Sequence, residues 1–255
     1  MRALPFGLMG LLFGSFLTVV VHRIPRGQSV VAPRSRCPRC GAPIRALDNV
    51  PVLSYLVLRG RCRNCGEPVA LEYPLVELAT GGLFAAAGAL IEPLYAAILV
   101  APFLGLMLAL ALIDLRHRVI PNRIVYPALA VYVVAITVGN FTGGGVDMLT
   151  GLLGLALYSV PMFLIALAVP GGLGMGDVKL AALIGLVVGA LQLSLVGVAA
   201  FVGIVGGGLA ALVAIAILRY SRKEQIPFGP FLAGGAVVAA LAGPAIASAY
   251  LSLLR

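Results

Sequence analysis

Two aspartates at the borders of apolar stretches have the right type and position to act as a pair. Asp114 closes the apolar run 109–113, and Asp177 opens the run 178–193. When two carboxyl groups lie close together, like-charge repulsion keeps one of them protonated. One can then draw a proton from water while the other donates to a carbonyl oxygen, and the pair titrates as a unit. The sequence therefore predicts Asp114 and Asp177 as a catalytic pair for amide hydrolysis.

Each aspartate alone also has a simpler explanation. Asp114 could form an ion pair with Arg116 or Arg118, and Asp177 could cap a helix. The glycines at 174 and 176 favour the functional interpretation, because they would let a substrate backbone approach Asp177 closely. A phosphate-binding loop is rejected here, since the glycine run 171–176 follows an apolar span and lacks the usual phosphate-loop spacing.

Four cysteines form two Cys-x-x-Cys motifs that are separated by 21 residues. Two such motifs, each followed by a glycine that permits a tight turn, supply the four thiolates of a tetrahedral zinc site. Disulfides and redox chemistry are the alternatives. Four sulfur ligands leave no open coordination position, so we predict a structural Zn²⁺. The ligands are Cys37, Cys40, Cys62 and Cys65.

Other catalytic groups are scarce in this sequence. The two histidines, His22 and His117, both neighbour arginines at span borders, which is typical of residues at the lipid interface. Ser15 lies seven positions before His22, about 10 Å along a helix, which is too far for direct contact. Glu77 is either a third functional carboxylate or a favourable charge near the start of a helix.

The elements that must position these residues are membrane spans. Hydrophobic residues make up 61% of the 255 residues, and the mean hydropathy is +1.09. A span needs about 20 apolar residues, and the sequence holds about eight candidates, two of them short. The predicted fold is thus an all-α polytopic membrane protein. The predicted spans are 4–21, 75–91, 94–113, 124–138, 148–169, 178–193, 195–218 and 231–253.

The basic residues fix the expected orientation. Of the 18 Lys and Arg, 16 fall in or beside the loops on one side of the membrane. By the positive-inside rule this side is cytosolic, which places both termini outside and both aspartates at the cytosolic face. The same placement removes the argument for a nucleic-acid partner. We expect a first transmembrane helix (1–22), a cytosolic tetracysteine module (23–74) and a seven-helix membrane core (75–255).

The motifs, taken in order, resemble the bacterial type IV prepilin leader peptidases, also called type II secretion prepilin peptidases. Seven segments over nearly the whole chain carry the resemblance. They are Gly14-Ser15-Phe16-Leu17 with Arg23 and Pro25, the two cysteine motifs, Asn49-Val50-Pro51-Val52-Leu53-Ser54-Tyr55, Tyr73-Pro74-Leu75-Val76-Glu77-Leu78, Asp114 with Ile120-Pro121-Asn122, Gly174-x-Gly176-Asp177-x-Lys179-Leu180, and Ile226-Pro227-Phe228-Gly229-Pro230-Phe231.

The resemblance implies that Asp114 and Asp177 cut a short basic leader from prepilins or pseudopilins in the bacterial cytoplasmic membrane. Gly174, Gly176, Lys179, Pro121 and Asn122 belong to the matching motifs and are expected to support catalysis. Many relatives also methylate the new N-terminus with S-adenosylmethionine. That activity is associated with the cysteine-bearing region, so the resemblance extends it to this chain.

Two positions depart from the family pattern. Thr18 stands where the family usually has Asn, and Glu72 stands where it has Arg before Tyr-Pro. Both lie in or beside the region tied to methylation, which includes Glu77. A basic leader would also meet a basic enzyme face. Lipid headgroups are one source of attraction, and the other candidates are Asp48, Glu67, Glu72 and Glu224.

Two other functions fit the same residues. In an ion- or proton-coupled transporter of small solutes, buried Asp114 and Asp177 would bind a cation or relay protons, and the zinc module would act as a regulatory lid. In a membrane scaffold, the module would dock a partner. Replacement of each aspartate by Asn separates these functions, because only a peptidase needs both carboxyl groups for cleavage.

Overall fold

The computed structural model describes residues 1–168, 173–216 and 227–253. These ranges contain nine α-helices and two short 3-10 helices, Ile24–Arg26 and Ala46–Asn49. Apart from two isolated bridges in the insertion, the described ranges contain no β-structure. The helices are α1 (Ala3–Arg23), α2 (Leu53–Val57), α3 (Glu72–Leu90), α4 (Leu94–His117), α5 (Asn122–Phe141), α6 (Met148–Ala168), α7 (Met175–Leu191), α8 (Leu193–Ala216) and α9 (Gly229–Leu253).

The prediction of an all-α polytopic membrane protein is confirmed. In the described part of the chain, six helices are long and apolar enough to cross a bilayer: α1, α3, α4, α5, α6 and α8. The other two long helices coincide with the predicted sixth and eighth spans. α7 has 17 residues, and α9 includes the shorter apolar stretch Gly229–Gly243. The end of the predicted seventh span, residues 217 and 218, lies outside the described residues.

α4 is the central helix, and 67% of its most apolar 18-residue stretch is buried inside the protein. Its side chains Phe103, Leu104, Met107 and Leu110 are fully buried. α4 packs against α1 and α3 on one side and α9 on the other. Because Asp114 lies in its last turn, the best-packed helix of the bundle holds this carboxyl group.

Glycines allow a very close approach of the helix backbones between α6 and α7. A Cβ atom added at Gly154 would lie 2.4 Å from the carbonyl oxygen of Gly185, and one added at Gly185 would lie 2.3 Å from the carbonyl oxygen of Gly154. No side chain fits at either position. This backbone contact holds α7, and with it Asp177, against the rest of the bundle.

The insertion between α1 and α3 is loop-rich. No Leu, Ile, Val or aromatic side chain between residues 24 and 71, all of which the structure describes, is buried, although Cys37 is only 7% exposed. Burial of apolar surface is therefore too small to hold this segment together. The arrangement of the four cysteines fits the predicted position of a zinc module between the first two spans.

Candidate active site

Asp114 lies one turn before the end of α4 and is 5% exposed. The backbone N–H of Gly229, at the first residue of α9, donates a 2.9 Å hydrogen bond to its Oδ2 atom. The described residues provide Asp114 with no ion pair, and Arg116 instead pairs with Glu72. The simpler explanation of Asp114 as an ion-pair partner of Arg116 therefore does not account for its position.

Asp177 is the third residue of α7 and is half-buried. Its Oδ2 atom accepts a 3.2 Å hydrogen bond from the backbone N–H of Gly174, the residue that caps the helix. The side chain thus contributes to the helix N-terminus, as the simpler explanation expected. The other carboxylate oxygen has no hydrogen bond from the described residues, so the side chain can cap the helix and still interact with another group.

The structure brings both aspartates to one cavity of about 190 Å³. Gly174 and Gly176 line it beside Asp177, and a Cβ atom added at Gly176 would lie 3.1 Å from Cβ of Ile120. The cavity is thus narrow where α7 begins. Its remaining lining residues are Arg118, Val119, Asn122 and Lys179.

The two helices that carry the pair, α4 and α7, meet only over a short distance. α4 and α7 share few contacts, whereas α9 packs against both of them and α5 packs against α7. The cavity therefore forms where the ends of several helices converge. The loop from α4 to α5 contributes to it through Ile120, which is 7% exposed.

Lys179 and Asn122 join α7 to the start of α5. The Lys179 Nζ atom donates a 3.0 Å hydrogen bond to Asn122 Oδ1, and it lies 5.2 Å from the centre of the Tyr126 ring. Pro121 precedes the helix as its N-cap residue. These contacts hold the cationic side chain at the cavity wall, so their structural role is to position the first turn of α7.

The four cysteines form one cluster, with all Sγ atoms within 4.8 Å of one another. The two motifs have the same geometry. Gly41 and Gly66 adopt φ angles of 70° and 71°, and their N–H groups bond the carbonyl oxygens of Cys37 and Cys62 at 2.9 and 3.0 Å. The prediction that each motif needs a glycine for its turn agrees with these left-handed angles.

The cluster fits a tetrahedral metal ion. The Sγ atoms of Cys37 and Cys65 lie 3.7 Å apart, close to the separation of about 3.8 Å that follows from zinc–sulfur bonds of about 2.3 Å. A disulfide needs about 2.05 Å. Hydrogen bonds from backbone groups of Cys40 and Arg39 lower the pKa of Cys37 to about 6, which favours the thiolate that binds metal.

The acidic side chains in and beside the insertion form ion pairs with arginines. Arg63 contacts both carboxylate oxygens of Asp48, at 2.6 and 3.0 Å, and holds the Asp48 pKa below its usual range. Arg39 pairs with Glu67 at 3.2 Å, and Arg116 pairs with Glu72. Three of the four acidic candidates for attracting a basic leader are thus neutralised. Glu224 lies outside the described residues.

Glu77 connects the insertion to the membrane helices. It is 8% exposed, and its Oε2 atom accepts a 2.8 Å hydrogen bond from the backbone N–H of Val52. Val52 has a φ angle of 61°, an unfavourable conformation for a β-branched residue. Glu77 lies beyond the first turn of α3, so the helix dipole alone does not explain it.

A second cavity, of about 600 Å³, separates the insertion from α1 and α3. Ser15, Thr18 and Glu77 line its membrane end, and residues beside the cysteines line the other. Of the two residues that depart from the family pattern, Thr18 lines this cavity. Glu72 lies outside the cavity, where it forms the ion pair with Arg116. The aspartate pair does not contribute to this cavity.

Sequence reasoning gave Gly229 no role, although it belongs to a segment that matches the family. Ile226, the first residue of that segment, lies outside the described residues. A glycine between two prolines just before a span was the available signal, because it suggests a close backbone approach. The residue that it approaches is 115 positions earlier, so spacing could not identify Asp114 as the partner.

Two family models match the chain. Residues 8–91 match the bacterial peptidase A24 N-terminal domain, and residues 101–218 match the type IV leader peptidase family. No solved structure matches the chain.

Several similar proteins are named prepilin leader peptidase/N-methyltransferase. The protein of Burkholderia pseudomallei strain 1026b is 35% identical over 266 residues, which cover 91% of this chain and 85% of the relative. The protein of Bacillus subtilis strain 168 is 34% identical over 249 residues, with 96% of each chain covered. The protein of Pseudomonas aeruginosa strain PAO1 is 34% identical over 281 residues, which cover 96% of this chain and 91% of the relative.

A polytopic bundle of apolar helices, together with these matches, defines a membrane peptidase. The chain belongs to the type IV leader peptidase family. It is therefore a multi-pass enzyme of the bacterial inner membrane, as the sequence predicted.

Proposed function

We propose that the protein cleaves the leader of type IV prepilins or pseudopilins, with Asp114 and Asp177 as the catalytic pair. The observation that carries this proposal is their presence in one cavity, although they are 63 positions apart and two helices, α5 and α6, lie between them in the chain. Two convergent carboxyl groups in a half-enclosed site are sufficient for hydrolysis of a peptide bond by activated water.

The two carboxyl groups have different surroundings, which suits an acid and a base. The Gly229 N–H holds one oxygen of the more deeply buried Asp114. Asp177 keeps one oxygen free of hydrogen bonds from the described residues, next to the exposed backbone of Gly174. Water held between the groups loses a proton to the ionised carboxylate as it attacks the carbonyl carbon, and the protonated carboxyl group donates to the carbonyl oxygen, which gives a tetrahedral diol. The proton taken from water then passes to the amide nitrogen as the C–N bond breaks, and one diol hydroxyl returns a proton to the other carboxylate. The amine leaves, and both carboxyl groups regain their starting protonation states.

The location of the cavity suits a substrate with a basic leader and an apolar helix. We place this end of the bundle at the cytosolic face and both termini outside, since 16 of the 18 basic residues lie at this end by the loop assignment. The leader then stays in the cytosol while the apolar helix enters the bilayer beside the enzyme. Attraction for the leader comes from anionic lipid headgroups, because the described acidic side chains near the insertion are paired.

Separate Asp114→Asn and Asp177→Asn variants test the catalytic pair. Each removes one ionisable group at nearly constant volume, and we expect cleavage of a co-expressed prepilin to fall by at least about 100-fold. Asp147→Asn is the matched control. Asp147 caps α6 through a 2.7 Å hydrogen bond from the Thr150 N–H, a role that Asn also fills. Cleavage near the wild-type rate by either test variant refutes the assignment.

We also propose that the cysteine cluster holds one structural Zn²⁺. The cluster offers four sulfur ligands, Cys37, Cys40, Cys62 and Cys65, and no open position for substrate. When bound, the ion joins the two Cys-x-x-Cys motifs of a segment that buries little apolar surface. Its effect is on folding of the module, and hydrolysis belongs to the aspartates.

The second cavity favours a second activity, N-methylation of the cleaved product with S-adenosylmethionine. Its volume of about 600 Å³ suits a ligand of that size. Glu77 is the buried acidic group at its membrane end, and Glu72 lies at the adjoining start of α3. Mass spectrometry of the processed pilin, with and without added S-adenosylmethionine, tests this activity. A product that stays unmethylated in both samples limits the enzyme to peptidase activity.

A further inference from the structure

The short helix α2 exposes an apolar face that the rest of the described chain does not cover. Leu53, Leu56 and Val57 are 62%, 65% and 76% exposed, and their spacing of three and four places them on one side of the helix. The opposite side faces the insertion. There the Tyr55 hydroxyl lies 3.3 Å from the carbonyl oxygen of Val69, and Tyr55 and Leu58 line the second cavity.

The contact between Val52 and Glu77 sets the height of α2 relative to the bundle. Val52 immediately precedes α2, and its N–H bonds Glu77 at 2.8 Å. Glu77 is the sixth residue of α3, a helix that is long and apolar enough to span a bilayer. It lies about 7.5 Å along the helix axis from the first residue of α3. α2 therefore begins beside this span, below its end, rather than in the water above it.

Exposed apolar side chains also surround the start of α3, the helix to which Val52 is bonded. Leu71 precedes α3 and is 66% exposed, and Leu75 in its first turns is 60% exposed. Tyr73 between them is 42% exposed, and tyrosine is typical of membrane interfaces. The part of α3 nearest this bond thus has the composition of a membrane border.

The charge around α2 is strongly positive. Residues 23–74 contain nine arginines and three acidic residues, and each of the three acids is held in an ion pair. Arg59 lies two residues after the end of α2, and its exposed side chain has no ion pair within the described residues. A positive rim next to an apolar face fits a surface that is apolar inside and negatively charged at its border.

We propose that α2 is a membrane-interface anchor. Leu53, Leu56 and Val57 insert into the leaflet next to the cytosolic ends of α1 and α3, and nearby arginines contact anionic headgroups. Insertion to a depth of about 5–10 Å is typical of such helices. The anchor fixes the insertion against the bilayer at one height, so the mouth of the second cavity opens at the lipid surface. This inference is independent of the peptidase assignment.

Tryptophan fluorescence tests the anchor directly, because the chain contains no Trp. Leu56→Trp places a single probe on the apolar face of α2. Leu47→Trp, at a leucine of the insertion that is 81% exposed and lines neither cavity, is the matched control. The full-length variants are reconstituted in vesicles of phosphatidylcholine and phosphatidylglycerol, with and without bromine atoms near the middle of the acyl chains.

We expect the Leu56→Trp emission to be blue-shifted and quenched several-fold more strongly by brominated lipid than the emission of Leu47→Trp. Equal quenching of both variants overturns the proposal. A blue-shifted emission that brominated lipid does not quench also overturns it, because protein then covers this face, either a second copy or another partner. Zinc content and prepilin cleavage at wild-type levels establish that both variants are folded.

Discussion

The first backbone N–H of α9 bonds the Asp114 carboxylate at the end of α4, with 2.9 Å between Gly229 N and Asp114 Oδ2. A Cβ atom added at Gly229 would lie 2.7 Å from the same oxygen. The contact therefore depends on the absence of a side chain as well as on the donor. It fixes one of the two carboxyl groups that we propose as catalytic, from a helix that contributes no ionisable residue to the cavity.

Gly229→Ala should lower the rate of prepilin cleavage by about 100-fold, because the added methyl group displaces the Asp114 carboxylate from its position. Gly234→Ala, on the same helix, is the control, since an added Cβ there has no atom within 4 Å. Single-turnover cleavage of a purified prepilin measures both. Equal rates for the two variants would show that the position of the Asp114 carboxylate is not critical.

Purified protein should contain about one zinc per chain, as measured by elemental analysis. Cys62→Ser removes one ligand and should lose the metal, and the insertion should then be cut rapidly by added protease. Prepilin cleavage should persist, because the aspartates lie in a different cavity. Ser35→Ala, within the same module, is the control. Wild-type protein without zinc contradicts the structural assignment.

Glu77→Ala should release α2 from α3. The Val52 N–H loses its acceptor, and an unpaired buried donor costs about 1–3 kcal/mol. Faster hydrogen exchange of the peptide 50–58 is the expected result, together with reduced methylation and retained cleavage. Glu77→Gln keeps an oxygen acceptor and should show a smaller change in exchange. Unchanged exchange in the Ala variant would mean that other contacts hold α2 in place.

Gly154→Ala should destabilise the bundle by about 1–3 kcal/mol, because the added methyl group overlaps the backbone of α7. The melting temperature in detergent is the measurement. Gly197→Ala on α8 has open space around its added Cβ, so it should leave the melting temperature unchanged or raise it slightly. A Gly154→Ala protein as stable as the Gly197→Ala control would show that α6 and α7 can separate at little cost.

The helices could be predicted from apolar length, since each long helix overlaps a stretch such as 94–113 or 148–169. The cysteine cluster could also be predicted, because two Cys-x-x-Cys motifs can bring four thiols together in only a few ways. The alternation of spans and loops further indicated that Asp114 and Asp177 lie at the same face of the membrane. Each of these inferences depends either on a local sequence pattern or on the fact that successive spans cross the membrane in alternating directions.

Contacts between distant parts of the chain could not be predicted in this way. Gly229 and Asp114 are 115 positions apart, and Val52 and Glu77 are 25 apart. Neither pair has a repeating pattern that links its members, because each depends on how complete helices pack. The limited contact between α4 and α7 is a result of the same kind, since hydrophobic periodicity says nothing about which spans are neighbours.

The hydrogen bond from Gly229 also has a consequence for biosynthesis. Translation produces Asp114 and Asp177 well before Gly229, so a nascent chain holds both carboxyl groups while the donor is still inside the ribosome. On the proposed assignment, the contact that positions Asp114 can form only after the last helix has been inserted. Full activity would then depend on synthesis of the chain as far as α9.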